Sequence, residues 1–101
     1  MTGTEKELTN LKAELESLLS EKYKSVIFKN DKYKGEKMFI GHTGKAVHID
    51  IIAGYKCLVI EHAETAEEAE RLTLEDGDLF YPEEFLSKND LFKAMMNEIE
   101  E

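Results

Sequence analysis

Leucines recur at helical spacing near the start of the chain and predict an amphipathic helix from Thr4 to about Lys22. The apolar positions are Leu8, Leu11, Leu15, Leu18 and Leu19, and polar residues occupy the other side. Thr4 with Glu7 three residues later has the form of a capping box, which satisfies free backbone amides at a helix start. Because the pattern lasts only about two heptads, we expect this helix to pack on a sheet and not in a coiled coil.

Four short runs of β-branched and aromatic residues follow and predict four β-strands. The runs cover residues 24–30, 36–42, 45–52 and 55–62. Thr43-Gly44 and Ala53-Gly54 are placed to form two-residue hairpin loops, and residues 31–35 form a looser turn. These connections predict an antiparallel meander in the strand order 1-2-3-4.

The predicted loop lengths also fix which side chains share a face of the sheet. With both tight turns closed, Ile40 lies opposite Val47 and Ile49 lies opposite Leu58. One face then collects the core residues Val26, Phe28, Met38, Ile40, Val47, Ile49, Ile51, Leu58 and Ile60. The other face carries the row Ile27, Phe39, His48 and Val59 beside the row Lys29, Lys37, Asp50 and Cys57. A helix, a second subunit or solvent could cover this mixed face.

Two or three short helices are predicted after the sheet. Thr65-Ala66-Glu67-Glu68 is a second capping box, and Pro82 suits the first position of a helix. Ser87 with Asp90 has the spacing of a cap before a last apolar stripe, whereas residues 75–78 are expected to form a loop. We therefore predict one α+β domain over residues 1–101, with helices from both ends of the chain on one sheet face.

The charge of the chain is strongly negative and unevenly distributed. Hydrophobic residues make up 42% and charged residues 35%, as in soluble globular proteins. The net charge of −9 combines +2 in residues 1–60 with −11 in residues 61–101. This balance disfavours direct binding to nucleic acids or anionic membranes, and no apolar run is long enough to span a bilayer. A single cysteine and the lack of a secretory signal predict a cytoplasmic location.

The predicted register contains one catalytic candidate, which we disfavour. Asp50 lies opposite Cys57 with His48 diagonal to the thiol, so a nucleophile, a base and an orienting carboxylate are grouped. All three lie in the middle of strands, where no helix N-terminus or oxyanion donor is expected. His42 and His62 lie on the other face from His48, about 10 Å apart. We therefore predict no enzyme activity, no cofactor and no metal site.

The acidic C-terminal part is the predicted partner-binding surface, because aromatic anchors surrounded by carboxylates suit a basic protein. Its residues are Glu64, Glu67, Glu68, Glu75, Asp76, Asp78, Phe80, Tyr81, Glu83 and Glu84. A nuclease toxin or a nucleic-acid-binding defence protein would offer the required basic cleft. In element order alone, the chain is similar to some small acidic immunity proteins and phage inhibitors.

Two other interpretations of the same features remain open. The row Ile27, Phe39, His48 and Val59 could form the interface of a homodimer with a structural or scaffolding role, so both a monomer and a homodimer are compatible with the sequence. The carboxylates could also be a solvated face that only confers solubility. The leading hypothesis is a non-catalytic inhibitor or immunity protein that covers a basic surface.

Overall fold

A computed structural model describes residues 4–100 and has α+β architecture, as predicted. The helices are α1 (Glu5–Lys22), α2 (Ala66–Glu70) and α3 (Lys88–Glu100). The strands are β1 (Lys24–Ile27), β2 (Lys37–Ile40), β3 (Ala46–Ile52), β4 (Cys57–Ala63) and β5 (Glu75–Phe80). Single turns of 3-10 helix follow β3 at Ala53–Tyr55 and β5 at Pro82–Glu84. The strands form one antiparallel sheet in the order β1-β2-β3-β4-β5.

The helices begin at the side chains that the sequence predicted as caps. The Thr4 hydroxyl accepts the backbone N–H of Glu7 at 3.2 Å at the start of α1. The same bond begins α2 between Thr65 and Glu68 at 3.1 Å and α3 between Ser87 and Asp90 at 3.2 Å. Each cap satisfies an amide that has no partner inside the helix. The predicted helix starts are therefore confirmed.

The fifth strand corrects the four-stranded prediction. Residues 75–80, of which the sequence predicts 75–78 as a loop, pair antiparallel with β4 from Leu58↔Phe80 to His62↔Glu75. The pairing shifts between Val59 and Glu61, which is a β-bulge, so the strand lacks a regular two-residue alternation. Its first four residues include three carboxylates and a glycine, which are all rare in strands. The sequence pattern therefore concealed it.

The first tight turn is one residue longer than predicted. The N–H of Gly41 donates to the carbonyl of Lys45 at 2.9 Å, so the loop contains three residues, 42–44. Gly44 has φ +89°, a conformation that glycine adopts without steric cost. As a result Phe39, and not Ile40, lies opposite Val47.

This one-residue slip reverses the faces of β1 and β2 relative to β3. Phe39 joins Val47 on the side of α1 and α3, while Met38 and Ile40 face the other side. The pairing of β1 with β2 is itself displaced by two residues, with Val26 opposite Met38, so those two strands keep their predicted relation to each other. The prediction that one face collects all nine core residues is therefore wrong for β1 and β2.

The second tight turn is longer by two residues, which leaves the faces unchanged. The 3-10 turn Ala53–Tyr55 is followed by Lys56 with φ 56° in the left-handed region. Ile49 consequently lies opposite Ile60, with Ile51 opposite Leu58. The predicted sides of β3 and β4 are confirmed, because a shift by an even number preserves the alternation.

Both faces of the sheet are covered by the chain itself. On one face α1 and α3 bury the cluster Leu8, Leu11, Leu15, Leu19, Phe39, Val47, Ile49, Leu58, Ile60, Leu91, Phe92 and Met95. On the other face, the loop of residues 28–36 and α2 cover a smaller cluster of Phe28, Tyr33, Met38, Ala46, Ala63 and Ala69. The prediction that the helices share one face is thus wrong for α2.

The row proposed as a homodimer interface does not form a surface. Phe39 belongs to the helix-covered face, and His48 and Val59 are buried on the other one. Their exposed fractions are 1%, 0% and 2%, whereas Ile27 is 48% exposed. Because three of the four side chains contact the interior of their own chain, this row offers a second copy almost no area.

Candidate functional site

His48 lies at the centre of a buried cluster of charged groups. It is opposite Glu61 in the pairing of β3 with β4, and its Nδ1 lies 2.7 Å from Oε1 of Glu61. Its Nε2 lies 2.9 Å from Oε1 of Glu36. Ionised carboxylates only accept hydrogen bonds, so this geometry favours the imidazolium, in which both ring nitrogens donate. In that form His48 is a buried cation held between two carboxylates.

Glu36 reaches His48 because β2 and β3 are paired over only a short stretch. Their ladder consists of Phe39↔Val47 and Ile40↔Ala46, and does not extend to His48. Glu36 immediately precedes β2, and its Oε1 also accepts a hydrogen bond from Nζ of Lys12 on α1 at 2.5 Å. The charges along Glu61, His48, Glu36 and Lys12 therefore alternate in sign.

Aromatic rings enclose the imidazole. The Tyr33 ring lies 4.4 Å from the His48 ring between centroids, and the Phe28 ring meets His48 edge-on at 5.3 Å. The Tyr33 hydroxyl lies 3.3 Å from Oε2 of Glu61, so it donates to the same carboxylate that contacts His48. These rings keep water away and strengthen the ionic contacts.

Asp50 adds a third potential ligand atom to this cluster. It follows His48 by two residues on β3, so both side chains point to the same face. One donor atom from each of His48, Asp50 and Glu61 can be chosen so that all three lie within 4.8 Å of one another. His48 and Glu61 are buried and Asp50 is half-buried, so solvent reaches the group from the side of Asp50.

The cluster shifts the pKa values of His48 and Glu36 toward their charged forms and that of Tyr33 toward its neutral form. Burial opposes the imidazolium, but the hydrogen bonds to Glu61 and Glu36 outweigh it and raise the pKa of His48 above 6.5. Burial likewise acts against the Glu36 carboxylate, yet the hydrogen bonds from Lys12 and His48 lower its pKa below 4.5. For Tyr33, burial and then the negative charge of Glu61 raise the pKa of the hydroxyl, which stays protonated and able to donate.

The grouping of Cys57 with Asp50 and His48 is not found. Cys57 lies opposite Ile52, and Asp50 lies opposite Val59, because the turn between β3 and β4 is longer than predicted. The thiol is fully buried, and burial raises its pKa. A buried thiol with a raised pKa is a poor nucleophile at neutral pH.

The carboxylates of the predicted partner-binding surface are all exposed. They are Glu64, Glu67, Glu68, Glu75, Asp76, Asp78, Glu83 and Glu84, which we call the acidic surface. They occupy the position directly after β4, helix α2, strand β5 and the 3-10 turn after it. A groove of about 650 Å³ brings together Glu64, Glu68 and Glu75 with Lys45 and His62.

The aromatic residues predicted as anchors are less available than the carboxylates. Phe80 is half-buried and packs against the core on the α1 and α3 side, and Tyr81 is also half-buried. Leu72, Leu79 and Leu86 are exposed instead, by 45%, 37% and 100%. Side chains alternate along a strand, so the inward Phe80 leaves Leu79 on the outer side of β5.

Two other acids in the same part of the chain turn inward. Besides Glu61, Glu70 on α2 accepts the backbone N–H of Lys29 at 2.8 Å and that of Asn30. The Asn30 side chain in turn donates to the Glu70 carbonyl at 3.1 Å. Glu70 thereby fixes the loop of residues 28–36 that covers His48, a role that no local spacing indicated.

Comparison of the chain with protein-family models gives no match, and comparisons with curated proteins and with solved structures give none either. Among residues 4–100, no helix combines the length and apolar character needed to cross a membrane. Any assignment of function therefore depends on the chemistry of the side chains described above.

Proposed function

We propose that this protein is a non-catalytic binding module that covers a basic surface of a partner protein with its acidic surface. The observation that carries the proposal is the exposure of eight of the nine carboxylates within residues 64–84, where Arg71 is the only basic residue. Arg71 is itself committed to Glu67, at 2.5 Å across an exposed helical pair. The acidic surface thus has almost no compensating charge of its own.

A surface of this kind acts first on the rate of encounter. Clustered charges of one sign can raise the association rate with an oppositely charged partner by about 10- to 1,000-fold. Screening limits this attraction to about 8 Å at physiological ionic strength. Capture of a basic partner should therefore be fast at low salt and slow at high salt.

Exposed leucines could supply the apolar contacts that retain such a partner. Leu79 lies on β5 among the carboxylates, and Leu86 follows Glu83 and Glu84. Basic clefts that bind phosphate backbones are the partner class with the matching charge, as in a nuclease toxin or a nucleic-acid-binding defence protein. Covering such a cleft would keep nucleic acid out of the partner without any catalytic step. The buried free thiol of Cys57 is compatible with a reducing compartment such as the cytoplasm.

The test compares two triple variants with equal net charge. One replaces Glu68, Asp76 and Asp78 on the acidic surface by Lys, and the control replaces the exposed residues Glu14, Glu21 and Asp31 by Lys. Association with a panel of purified nucleases and DNA-binding domains that have basic clefts is measured by stopped flow at several salt concentrations, together with inhibition of nuclease cleavage.

We expect the parent and the control to bind at least one panel member and to inhibit it, with a rate that falls as salt rises. The acidic-surface variant should associate at least tenfold more slowly at low salt. Equal loss in both variants would show that only overall charge matters. Salt-independent binding, or unchanged capture by the acidic-surface variant, would contradict the proposal.

A further inference from the structure

We propose that His48, Asp50 and Glu61 form a binding site for a divalent transition-metal ion of the Zn²⁺, Mn²⁺ and Co²⁺ class. The three residues belong to neighbouring central strands and point to the same face of the sheet. The site is separate from the acidic surface, and neither proposal depends on the other.

The positions of the ligand atoms are close to those that an ion requires. Atoms bound to one such ion at about 2.1 Å lie roughly 3.0 to 3.5 Å from one another. Nδ1 of His48 and Oε1 of Glu61 are 2.7 Å apart, and one donor atom from each of the three residues lies within 4.8 Å of the other two. A three-ligand site would be complete if Nδ1 of His48 and Oε1 of Glu61 moved slightly apart and the Asp50 carboxylate moved slightly closer to both.

The surrounding hydrogen bonds already orient the ligands. Metal-bound histidines usually donate their second ring N–H to a carboxylate, which fixes the ring. Here Nε2 of His48 contacts Glu36, which Lys12 holds from α1. The Tyr33 hydroxyl likewise orients the Glu61 carboxylate by donating to its Oε2. Nδ1, which lies 2.7 Å from Glu61, is thereby left as the ring nitrogen available to a metal ion.

Asp50 is the residue that the cluster without metal does not explain. Its described hydrogen bond comes from the backbone N–H of the next residue, Ile51, at 2.8 Å. Within the described residues 4–100, no ion pair includes Asp50, although it is half-buried and close to a second carboxylate, that of Glu61. Both ring nitrogens of His48 are bonded to Glu61 and Glu36 and offer no N–H to Asp50, whereas a partly buried carboxylate needs a partner to offset the loss of hydration. A metal ion between Asp50 and Glu61 would provide it.

Metal binding would exchange one cation for another. The proton on Nδ1 leaves to solvent, the ion takes its place, and its two positive charges balance the carboxylates of Asp50 and Glu61. One imidazole nitrogen with two carboxylates suits Zn²⁺, Mn²⁺ or Co²⁺ better than Ca²⁺ or Mg²⁺, which prefer oxygen ligands alone. Water from the side of Asp50 can fill the remaining positions.

The experiment titrates the chelator-treated protein with Co²⁺ and follows the visible absorption bands, and then repeats the titration with Zn²⁺ in competition. Asp50→Asn is the test variant because it keeps size and shape at a half-buried position. His62→Asn is the matched control, since His62 lines the groove with Glu64, Glu68 and Glu75, where a cation could also bind. Circular dichroism confirms that each variant is folded.

We expect one equivalent of Co²⁺ in the parent and in His62→Asn, displaced by Zn²⁺, and at least tenfold weaker binding in Asp50→Asn. The proposal is overturned if the folded parent shows no saturable binding of Co²⁺ or Zn²⁺ at millimolar concentration. It is equally overturned if Asp50→Asn binds like the parent, or if the loss appears in His62→Asn instead.

Discussion

A charged imidazole in the interior makes the local stability of this protein depend on a few ionic contacts. His48 is fully buried, and its two ring nitrogens meet the carboxylates of Glu36 and Glu61. Ion pairs of this kind are not stronger than apolar packing overall, but removing one partner leaves a buried charge without compensation. The contribution of His48 to stability is therefore best measured in a variant that lacks the imidazole.

We predict that His48→Gln lowers the free energy of unfolding by about 3 to 5 kcal/mol, the usual cost of breaking a buried ion pair. Urea denaturation of the chelator-treated protein at pH 6 measures it. His42→Gln serves as the control because His42 is exposed, and surface changes usually stay within about 0.5 kcal/mol. A similar loss of unfolding free energy in both variants would show that the ionic cluster contributes no more to stability than an exposed histidine.

The stability should also depend on pH in a defined direction. The pKa of His48 is raised above 6.5 in the folded state, so its contribution is complete below 6.5 and is lost as pH rises through the folded value. The pKa of Glu36 is lowered below 4.5, so its contribution is complete above 4.5 and is lost as pH falls. The charged or titratable groups that face His48 are Lys12, Glu16, Tyr33, Glu36, Asp50 and Glu61.

We predict that the difference in unfolding free energy between the parent and His48→Gln is largest between about pH 4.5 and 6.5 and shrinks as the pH rises further. Urea titrations at pH 5, 6, 7, 8 and 9 in the presence of a chelator measure this difference. If the difference in unfolding free energy stays constant or widens above pH 6.5, the His48 ring is not an imidazolium in the folded protein.

At the scale of the elements, the bulge in β5 depends on a residue without a side chain. A Cβ added to Gly77 would lie 2.9 Å from the backbone carbonyl oxygen of Ile60 and 2.9 Å from Oε2 of Glu98. The side chain of Glu98 can move, but the carbonyl belongs to the sheet. A side chain at position 77 would therefore force β5 to shift away from the carbonyl of Ile60 on β4.

We predict that Gly77→Ala destabilises the protein by about 1 to 3 kcal/mol, the usual cost of forcing extra atoms into a packed site. Thermal and urea unfolding measure it. Gly54→Ala is the control, because nothing lies within 4 Å of a Cβ at that position. The control should have no cost, or a gain of about 0.4 to 1 kcal/mol from a stiffer unfolded chain. An unaffected Gly77→Ala would mean that the bulge is adaptable.

The elements also show what local patterns can predict. The helix starts followed from capping residues such as Thr4 and Ser87, because a cap acts over three residues. The faces of β3 and β4 followed from alternation, which tolerated an error of two residues in the turn. The faces of β1 and β2 were not predicted correctly, because the loop before Lys45 holds three residues and not two. An error of one residue in a turn exchanges the two faces of a strand.

The candidate metal site was only partly visible in the sequence. His48 and Asp50 are two residues apart, so their shared face could be predicted. Glu61 lies opposite His48 only with the longer turn between β3 and β4. Glu36 and Lys12 reach the cluster from a loop and a helix, and such contacts have no local signal.

At the scale of the whole molecule, the carboxylates of β5 protect an open sheet edge. β5 is the last strand of the sheet, so its outer side can pair with another chain. The N–H of Asp78 is taken by Glu98 at 3.2 Å, and the exposed side chains of Glu75 and Asp76 repel a second copy. The same charges can thus prevent self-pairing and attract a basic partner.

We predict that replacing Asp76 and Asp78 by Thr makes the protein self-associate at concentrations where the parent does not, because the edge becomes neutral and Thr favours strands. Sedimentation velocity measures it. The control replaces Asp31 and Glu84, both exposed outside the sheet, by Thr and so changes the net charge equally. If the control self-associates as much as the edge variant, total charge and not the edge is responsible.

The strand order has a consequence for how the chain acquires its structure. Every strand pairs with the strand that precedes it, so no hairpin must wait for a distant part of the sequence. Short closures of this kind cost little entropy and are associated with rapid folding. The sheet can grow one hairpin at a time during synthesis, whereas α1 gains its full cover only when α3, at the other end of the described chain, has left the ribosome. Until then, the part of the leucine side of α1 that α3 covers would be open to chaperones.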